Sequence, residues 1–310
     1  MKSIVLLLPR KVLFFLKFYS TKKVDLMNSI YPKGKVILAG AGPGDPELIT
    51  LRAVRYLGKA DVVLTDRLVS EVILQEHVRP GAEIIYVGKQ CSRGISTPQK
   101  TINQLLVEFA LEGKLVVRLK GGDVSIFSNI MDELEVLKAN DIPYEIIPAV
   151  TAALGAAAYA GIPLTARGYS TAVRFLTFYK NDIVSDAYWV ELAATNDTLV
   201  FYMSSETLPL VIKKLLANNI SREKLIAVAE QATTPMQKIH ISGFDDFEEK
   251  MAGKLFLSPS LIIIGKVVAL HEQFAWIDNS ESTDYYFKPL VAKLSNITEK
   301  EKAEKNVSRA

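Results

Sequence analysis

Val36-Ile37-Leu38-Ala39-Gly40-Ala41-Gly42-Pro43-Gly44-Asp45-Pro46 carries a short apolar run into three alternating glycines, two prolines and an aspartate. Glycines at a strand end let the backbone come close to a ligand and take positive φ. The prolines stiffen the turn, so the stretch reads as a preformed rim and not a floppy loop. A dinucleotide site would want G-x-G-x-x-G, and Asp45 stands where the third glycine belongs. A carboxylate facing a pyrophosphate is unfavourable, which counts against a dinucleotide even though Asp66 ends the next strand. A second glycine pair closes another apolar run, Val116-Val117-Arg118-Leu119-Lys120-Gly121-Gly122-Asp123.

Outward from these two turns, short β-branched runs at 36–39, 62–65, 84–87, 115–119 and 144–147 read as buried strands bounded by Gly, Asp or Pro. Helical stretches lie between them. The clearest opens at Thr97-Pro98, read as N-cap and first helical residue. It sets Ile102, Leu105, Leu106 and Phe109 on one face and stops at Gly113. Such alternation implies a largely parallel α/β sheet. Strand ends on one edge of a parallel sheet converge on a common crevice. Residues 40–45, Asp66-Arg67, Gly88-Lys89 and 121–123 are therefore expected to line a single site.

After Pro148 the composition shifts: six of the nine residues from 152 to 160 are alanine, which implies a tightly packed helix. A second α/β set follows, with strands at 173–178, 199–203, 225–229, 238–241 and 261–265 and its best helix at 208–216. The expected division is an N-terminal extension (1–33), an N-terminal α/β domain (34–148), a C-terminal α/β domain (149–278) and a charged tail (279–310), without an internal repeat. Two α/β lobes on a short connector make a cleft, where ligands usually bind.

Composition narrows the function classes. The 310 residues are 49% hydrophobic and 23% charged, an ordinary globular balance. A net charge of +3 is too small to argue for nucleic acid, but suits an anionic small molecule where positive charges converge. One cysteine, Cys91, rules out a disulfide framework, and three scattered histidines carry no metal-ligand pattern, so no metal is expected. A reducing cytoplasm is the default compartment. Near the start, Pro9, Arg10, Lys11 and Lys17 interrupt the apolar runs, and neither run reaches the ~20 residues of a membrane span. The reading there is a poorly ordered extension, with Met27 a candidate initiator and a peripheral anchor the rival.

The motifs Gly40-Ala41-Gly42-Pro43-Gly44-Asp45-Pro46, Thr65-Asp66-Arg67-Leu68-Val69, Val87-Gly88-Lys89, Arg118-Leu119-Lys120-Gly121-Gly122-Asp123 and Tyr159-Ala160-Gly161-Ile162-Pro163-Leu164-Thr165 closely resemble the uroporphyrinogen-III C-methyltransferase family. So do Val200-Phe201-Tyr202-Met203 and the run from Pro259 to Val268, and the likeness extends over about residues 35–276. The resemblance implies the two-lobed tetrapyrrole methylase fold, a homodimer, S-adenosyl-L-methionine as methyl donor, S-adenosyl-L-homocysteine as product and a tetrapyrrole as substrate. It assigns donor contacts to Pro43, Gly121, Gly122, Asp123, Ile126, Thr151, Ala152, Met203 and Ala232. It makes Asp66 a proton acceptor and Lys89 a proton donor, and places Arg167 and Asp132 on the substrate. The chemistry agrees with a zwitterionic donor: Asp123 suits a cationic or hydroxyl group, and Ile126 and Met203 suit an adenine.

The chain departs from the family on the substrate side. Where the family continues Gly-Gly-Asp with Pro-Phe-Ile-Phe-Gly-Arg-Gly-Gly-Glu-Glu, residues 124–133 read Val-Ser-Ile-Phe-Ser-Asn-Ile-Met-Asp-Glu. The arginine that pairs with substrate carboxylates thus falls on Asn129, a lost charge-assisted contact. The usual Leu-Thr-His-Arg is Leu164-Thr165-Ala166-Arg167, and the usual Thr-Gly-His is Thr177-Phe178-Tyr179. Three readings follow: methylation of uroporphyrinogen III to precorrin-2 through precorrin-1, methylation of another tetrapyrrole such as a precorrin, and donor binding without catalysis.

Overall fold

A computed structural model describes residues 33–90, 95–179, 184–251 and 253–287 of the chain. The expected N-terminal extension up to residue 32 and the Lys- and Glu-rich residues 296–310 lie outside this range.

The five strands expected from β-branched runs form in the first half as β1 (Lys35–Gly40), β2 (Val62–Thr65), β3 (Glu83–Tyr86), β6 (Leu115–Lys120) and β7 (Tyr144–Ile147), and a two-residue pair not expected, β4 (Lys89–Gln90) and β5 (Ile95–Ser96), lies between β3 and β6. The five longer strands make one sheet in the order β3-β2-β6-β1-β7, with every neighbour parallel. Parallel sheets need cover on both faces, which explains near-continuous apolar strands instead of alternating ones. Helices Leu51–Leu57 and Glu71–His77 cover one face through Ala53, Leu57, Ile73 and Leu74. Helices Gln99–Leu111 and Ile130–Ala139 cover the other through Ile102, Leu106, Ala110 and Leu137. Each fully buried Leu or Ile contributes about 1.5–3 kcal/mol relative to exposure.

The helix at 99–111 begins one residue later than its sequence suggests. Pro98 is the cap, and its carbonyl accepts from Thr101 and Ile102 N–H. The far end behaves as expected. Gly113 takes φ +82°, Gly113 N–H bonds Ala110 O, and Lys114 N–H bonds Phe109 O, a left-handed glycine stop.

The second half holds β8 (Val173–Thr177), β9 (Thr198–Tyr202), β10 (Leu225–Glu230), β11 (Lys238–Ser242) and β12 (Ser260–Gly265). This sheet runs β11-β10-β12-β9-β8 and is mixed: only β8 and β9 are parallel neighbours. Helices Asp186–Ala194 and Leu208–Ala217 pack on one face, and the alanine-rich helix Ala152–Tyr159 packs on the other. Lys224 is buried behind the first of these helices, where its Nζ donates to Ala193 O at 3.1 Å and also to Thr195 O.

Residues 279–287, the first part of the expected charged tail (279–310), are docked on the second lobe and reach the first. Asn279 pairs both ways with Ile239 on the edge strand β11, and Phe287 is only 3% exposed. The charged composition that motivates the tail reading begins after Phe287, whereas 285–287 is Tyr-Tyr-Phe with apolar area to bury. No helix among the described residues is long and apolar enough to cross a membrane.

Candidate active site

The carboxyl ends of β1, β6 and β2 are adjacent, so their turns meet. Ala41 N–H donates to Lys120 O at 2.8 Å; Gly42 N–H donates to Gly122 O at 3.2 Å and Gly122 N–H to Gly42 O at 2.7 Å. The two glycine turns are thus one hydrogen-bonded unit. Glycine is required by packing at Gly40, where a Cβ would lie 2.5 Å from Gly122 O, and at Gly121, where it would lie 2.7 Å from Leu68 O. Gly122 differs: its φ is +67°, and a Cβ there would meet only Ala152 N, at 3.8 Å. The chain opens toward free space at that residue.

Pro43 is buried against the alanine-rich helix. A Cβ on Gly155 would lie 2.6 Å from the Pro43 ring, so the first rim is seated on the first helix of the second lobe. A glycine inside an alanine-rich helix costs stability and signals a close approach; that clue lies in the sequence, although the partner does not. Asp45 serves structure. Its carboxylate caps the following turn through Glu47 N–H at 2.8 Å and accepts from Tyr159 OH. Asp45 N–H reaches Thr233 Oγ1 of the second lobe at 3.0 Å.

Asp123 closes the other side. One carboxylate oxygen accepts from the N–H and hydroxyl of Ser125, and the other from Ala149 N–H at 2.7 Å. Burial pushes this carboxyl up, but the donated hydrogen bonds outweigh it and hold the group below the usual aspartate range. The connector is held as well: Thr151 Oγ1 and Tyr202 OH are 2.7 Å apart, and Tyr202 OH accepts from Ala153 N–H at 3.1 Å. Burial raises the Tyr202 phenol, keeping it protonated.

Of the expected donor contacts, Pro43, Gly121, Gly122, Asp123, Thr151 and Ala152 come together around these bonds. Ile126, Ala152 and Ala232 are partly buried against the same apolar cluster of the second lobe. Met203 follows Tyr202 with φ +53° and stays half exposed, its Sδ accepting from Tyr179 OH at 3.1 Å. Phe127, exposed with φ +50°, meets the Tyr202 ring in a tilted contact at 5.0 Å between centroids. Sequence reading gave Phe127, Tyr202 and Gly155 no role.

Asp66 directly follows β2, and its Oδ1 accepts from Arg118 Nη2 at 2.5 Å. Arg118 and Lys120 alternate onto one face of β6, where helix 130–139 meets them with the fully buried Glu133. Arg118 Nε and Lys120 Nζ each lie 3.1 Å from that carboxylate. Burial opposes charge on both cations. Asp66 and Glu133 reverse this for Arg118, which is raised, whereas Lys120 remains lowered. Two carboxylates and two cations therefore compensate one another behind the crevice.

The remaining expected residues are less tightly tied. Lys89 lies on β4, and its side chain is outside the described residues. Asp132 is exposed in the first turn of helix 130–139, and its carbonyl accepts from Asn103. Arg167 is exposed in the turn closed by Ala166 and Ser170, with no hydrogen bond or ion pair to its side chain among the described residues. Asn129 caps helix 130–139 with φ +54°, a left-handed conformation asparagine tolerates better than most residues. Among the described residues no group of three or more His, Cys, Asp or Glu side chains could hold a metal ion. A glycine-lined opening flanked by hydroxyls, a carboxylate and apolar walls suits a zwitterionic nucleoside ligand.

Residues 35–247 match the family model described as Tetrapyrrole (Corrin/Porphyrin) Methylases. The siroheme synthase of Vesicomyosocius okutanii is 44% identical over 245 residues, 79% of this chain and 52% of that protein. The chain thus spans about half the length of the curated relatives it matches. A crystal structure of the Thermus thermophilus uroporphyrin-III C-methyltransferase complexed with S-adenosylhomocysteine superposes with a TM-score of 0.63, at 34% identity over 76% of this chain and 93% of that one. A cobalt-precorrin-4 methyltransferase of cobalamin biosynthesis superposes with a TM-score of 0.67, at 29% identity over 76% of this chain and 95% of that one.

Proposed function

Since the chain belongs to the tetrapyrrole (corrin/porphyrin) methylase family, we propose that it methylates uroporphyrinogen III at two ring carbons, giving precorrin-2 through precorrin-1 for siroheme or cobalamin. The carrying observation is that the two glycine turns are joined into one hydrogen-bonded unit by the Gly42–Gly122 bridge, with Asp66 held at the neighbouring strand end. S-adenosylmethionine, when bound, supplies an electrophilic methyl group. Pro43, Gly121, Gly122, Asp123, Ile126, Thr151, Ala152, Met203 and Ala232 are the residues that would hold it.

The protein's share of the work is placement, which converts a bimolecular encounter into an oriented one. An electron-rich ring carbon forms the new C–C bond as the S–CH3 bond breaks and its electron pair stays on sulfur. The macrocycle then loses a proton, which Asp66 accepts. The bond from Arg118 fixes the Asp66 carboxylate for that step, and Lys89 is the residue that the family resemblance makes the proton donor. Such acid–base steps contribute about 10²–10⁴-fold. Arg167 and Asp132 face the acceptor. The same reading carries a homodimer working in the cytoplasm.

The change to Asn129 favours a second acceptor, another tetrapyrrole such as a precorrin. Incubation with methyl-labelled S-adenosylmethionine and uroporphyrinogen III decides between them. Label in a dimethylated product is expected. Measurable donor binding with no transfer to uroporphyrinogen III would sink the first reading, and transfer to a precorrin instead would establish the second.

A further inference from the structure

The segment 279–287 leaves the second lobe and ends on the first. Ser280 N–H bonds Gln237 O at 2.9 Å. The buried Gln231 amide then clamps it from both sides, donating to Asp284 O at 3.1 Å and accepting from Tyr286 N–H at 2.7 Å. Tyr286 OH lies 2.7 Å from Ser70 Oγ, and the Phe287 carbonyl accepts from Arg67 Nη1 at 3.2 Å. The segment is a strap whose end rests on Ser70 and Arg67.

Arg67 is unlike the other cations there. Arg118 and Lys120 are balanced by Asp66 and Glu133, whereas Arg67 makes no salt bridge among the described residues. Its neighbours are neutral oxygens: Phe287 O on Nη1 and Ser258 Oγ on Nη2 at 3.5 Å. Its Nε is buried without a hydrogen-bond partner. Nε and Nη2 form the edge of a guanidinium that grips a carboxylate with two parallel bonds. Partial burial also disfavours the charge and lowers its pKa, so an incoming anion gains more there than at the surface.

We propose that Arg67 anchors a side-chain carboxylate of the acceptor macrocycle on its Nε–Nη2 edge, and that the 279–287 strap, bonded at Nη1, holds the guanidinium and must loosen for that edge to open. The assignment rests on the functional reading above, and it names a contact on the side where Asn129 removes one.

The test measures the acceptor KM, S-adenosylhomocysteine affinity and the fluorescence-detected binding of uroporphyrin III and its methyl ester, using the full chain. Arg67→Met is expected to weaken both KM and uroporphyrin binding about tenfold, the size of one charge-assisted contact of about 1.4 kcal/mol. Donor affinity should stay within about twofold, since the contact lies outside the donor residues. Arg67→Lys should recover part of the loss, and the wild type should prefer the free acid to the ester. Phe287→Ala, which loosens the strap, should tighten acceptor binding when Arg67 is present and have no effect alongside Arg67→Met. An unchanged acceptor affinity in Arg67→Met, or a parallel loss of donor affinity, overturns the proposal. Free-acid binding that needs Arg67 but is followed by no methyl transfer keeps the anchor and sinks the catalytic reading. A wild type that neither binds nor methylates the macrocycle sinks both.

Discussion

Glu133 shows how much a single side chain carries in this molecule. It is fully buried, and both Arg118 and Lys120 depend on it for charge balance. Removing one partner of a buried set leaves the others uncompensated, which typically costs about 3–5 kcal/mol. Glu133→Gln is therefore expected to lower the unfolding free energy obtained from urea titration by an amount in that range, and an unchanged value would show that the cations find other partners. Arg118 and Lys120 were visible in the sequence as charges inside an apolar strand. Their partner was not. The family resemblance places Asp132, one residue earlier, on the substrate and gives Glu133 no role, and neighbouring helical residues point about 100° apart. The structure leaves Asp132 exposed and turns Glu133 inward.

At the scale of elements, the edge strand β7 is held by charge as well as by its backbone ladder. Glu145 on β7 pairs with Lys35 on β1 and with Arg52 on helix 51–57, and Tyr56 OH donates to it at 2.8 Å. The hydrogen bond from Lys35, followed by those from Tyr56 and Arg52, pulls its carboxyl from 4.5 down to about 2. A carboxyl depressed on folding stabilises fully above its unfolded value and loses that contribution as pH falls toward its folded one. The thermal midpoint should thus decline between about pH 4.5 and pH 2 partly through this group. Glu145→Gln should flatten that slope, and a slope equal to the wild type would remove Glu145 as its cause. The strands themselves were legible because β-branched runs between Gly, Asp and Pro are a local signal. The pairing order was less legible, because β1 meets β6 across some eighty residues of intervening chain.

For the whole molecule, the strap is the element that joins the lobes from outside. Phe287→Ala should speed hydrogen exchange across 279–287 by opening it locally, while the amides of β1 and β6 keep their protection. Equal acceleration throughout would mean that the strap is part of the global fold and not a local device. Three results required nothing beyond the linear chain: two sets of strands, a stiff rim at 40–46, and membership of a methylase family. The first two rest on local facts, periodicity and glycine and proline chemistry, which neighbouring residues state together, and the third rests on the likeness of motifs spread over about residues 35–276 to a known family. The seating of Pro43 on Gly155, the Glu133 pairing and the return of 279–287 to Arg67 needed the tertiary structure. They are contacts between residues far apart in the chain, and packing and register choose such partners where composition cannot.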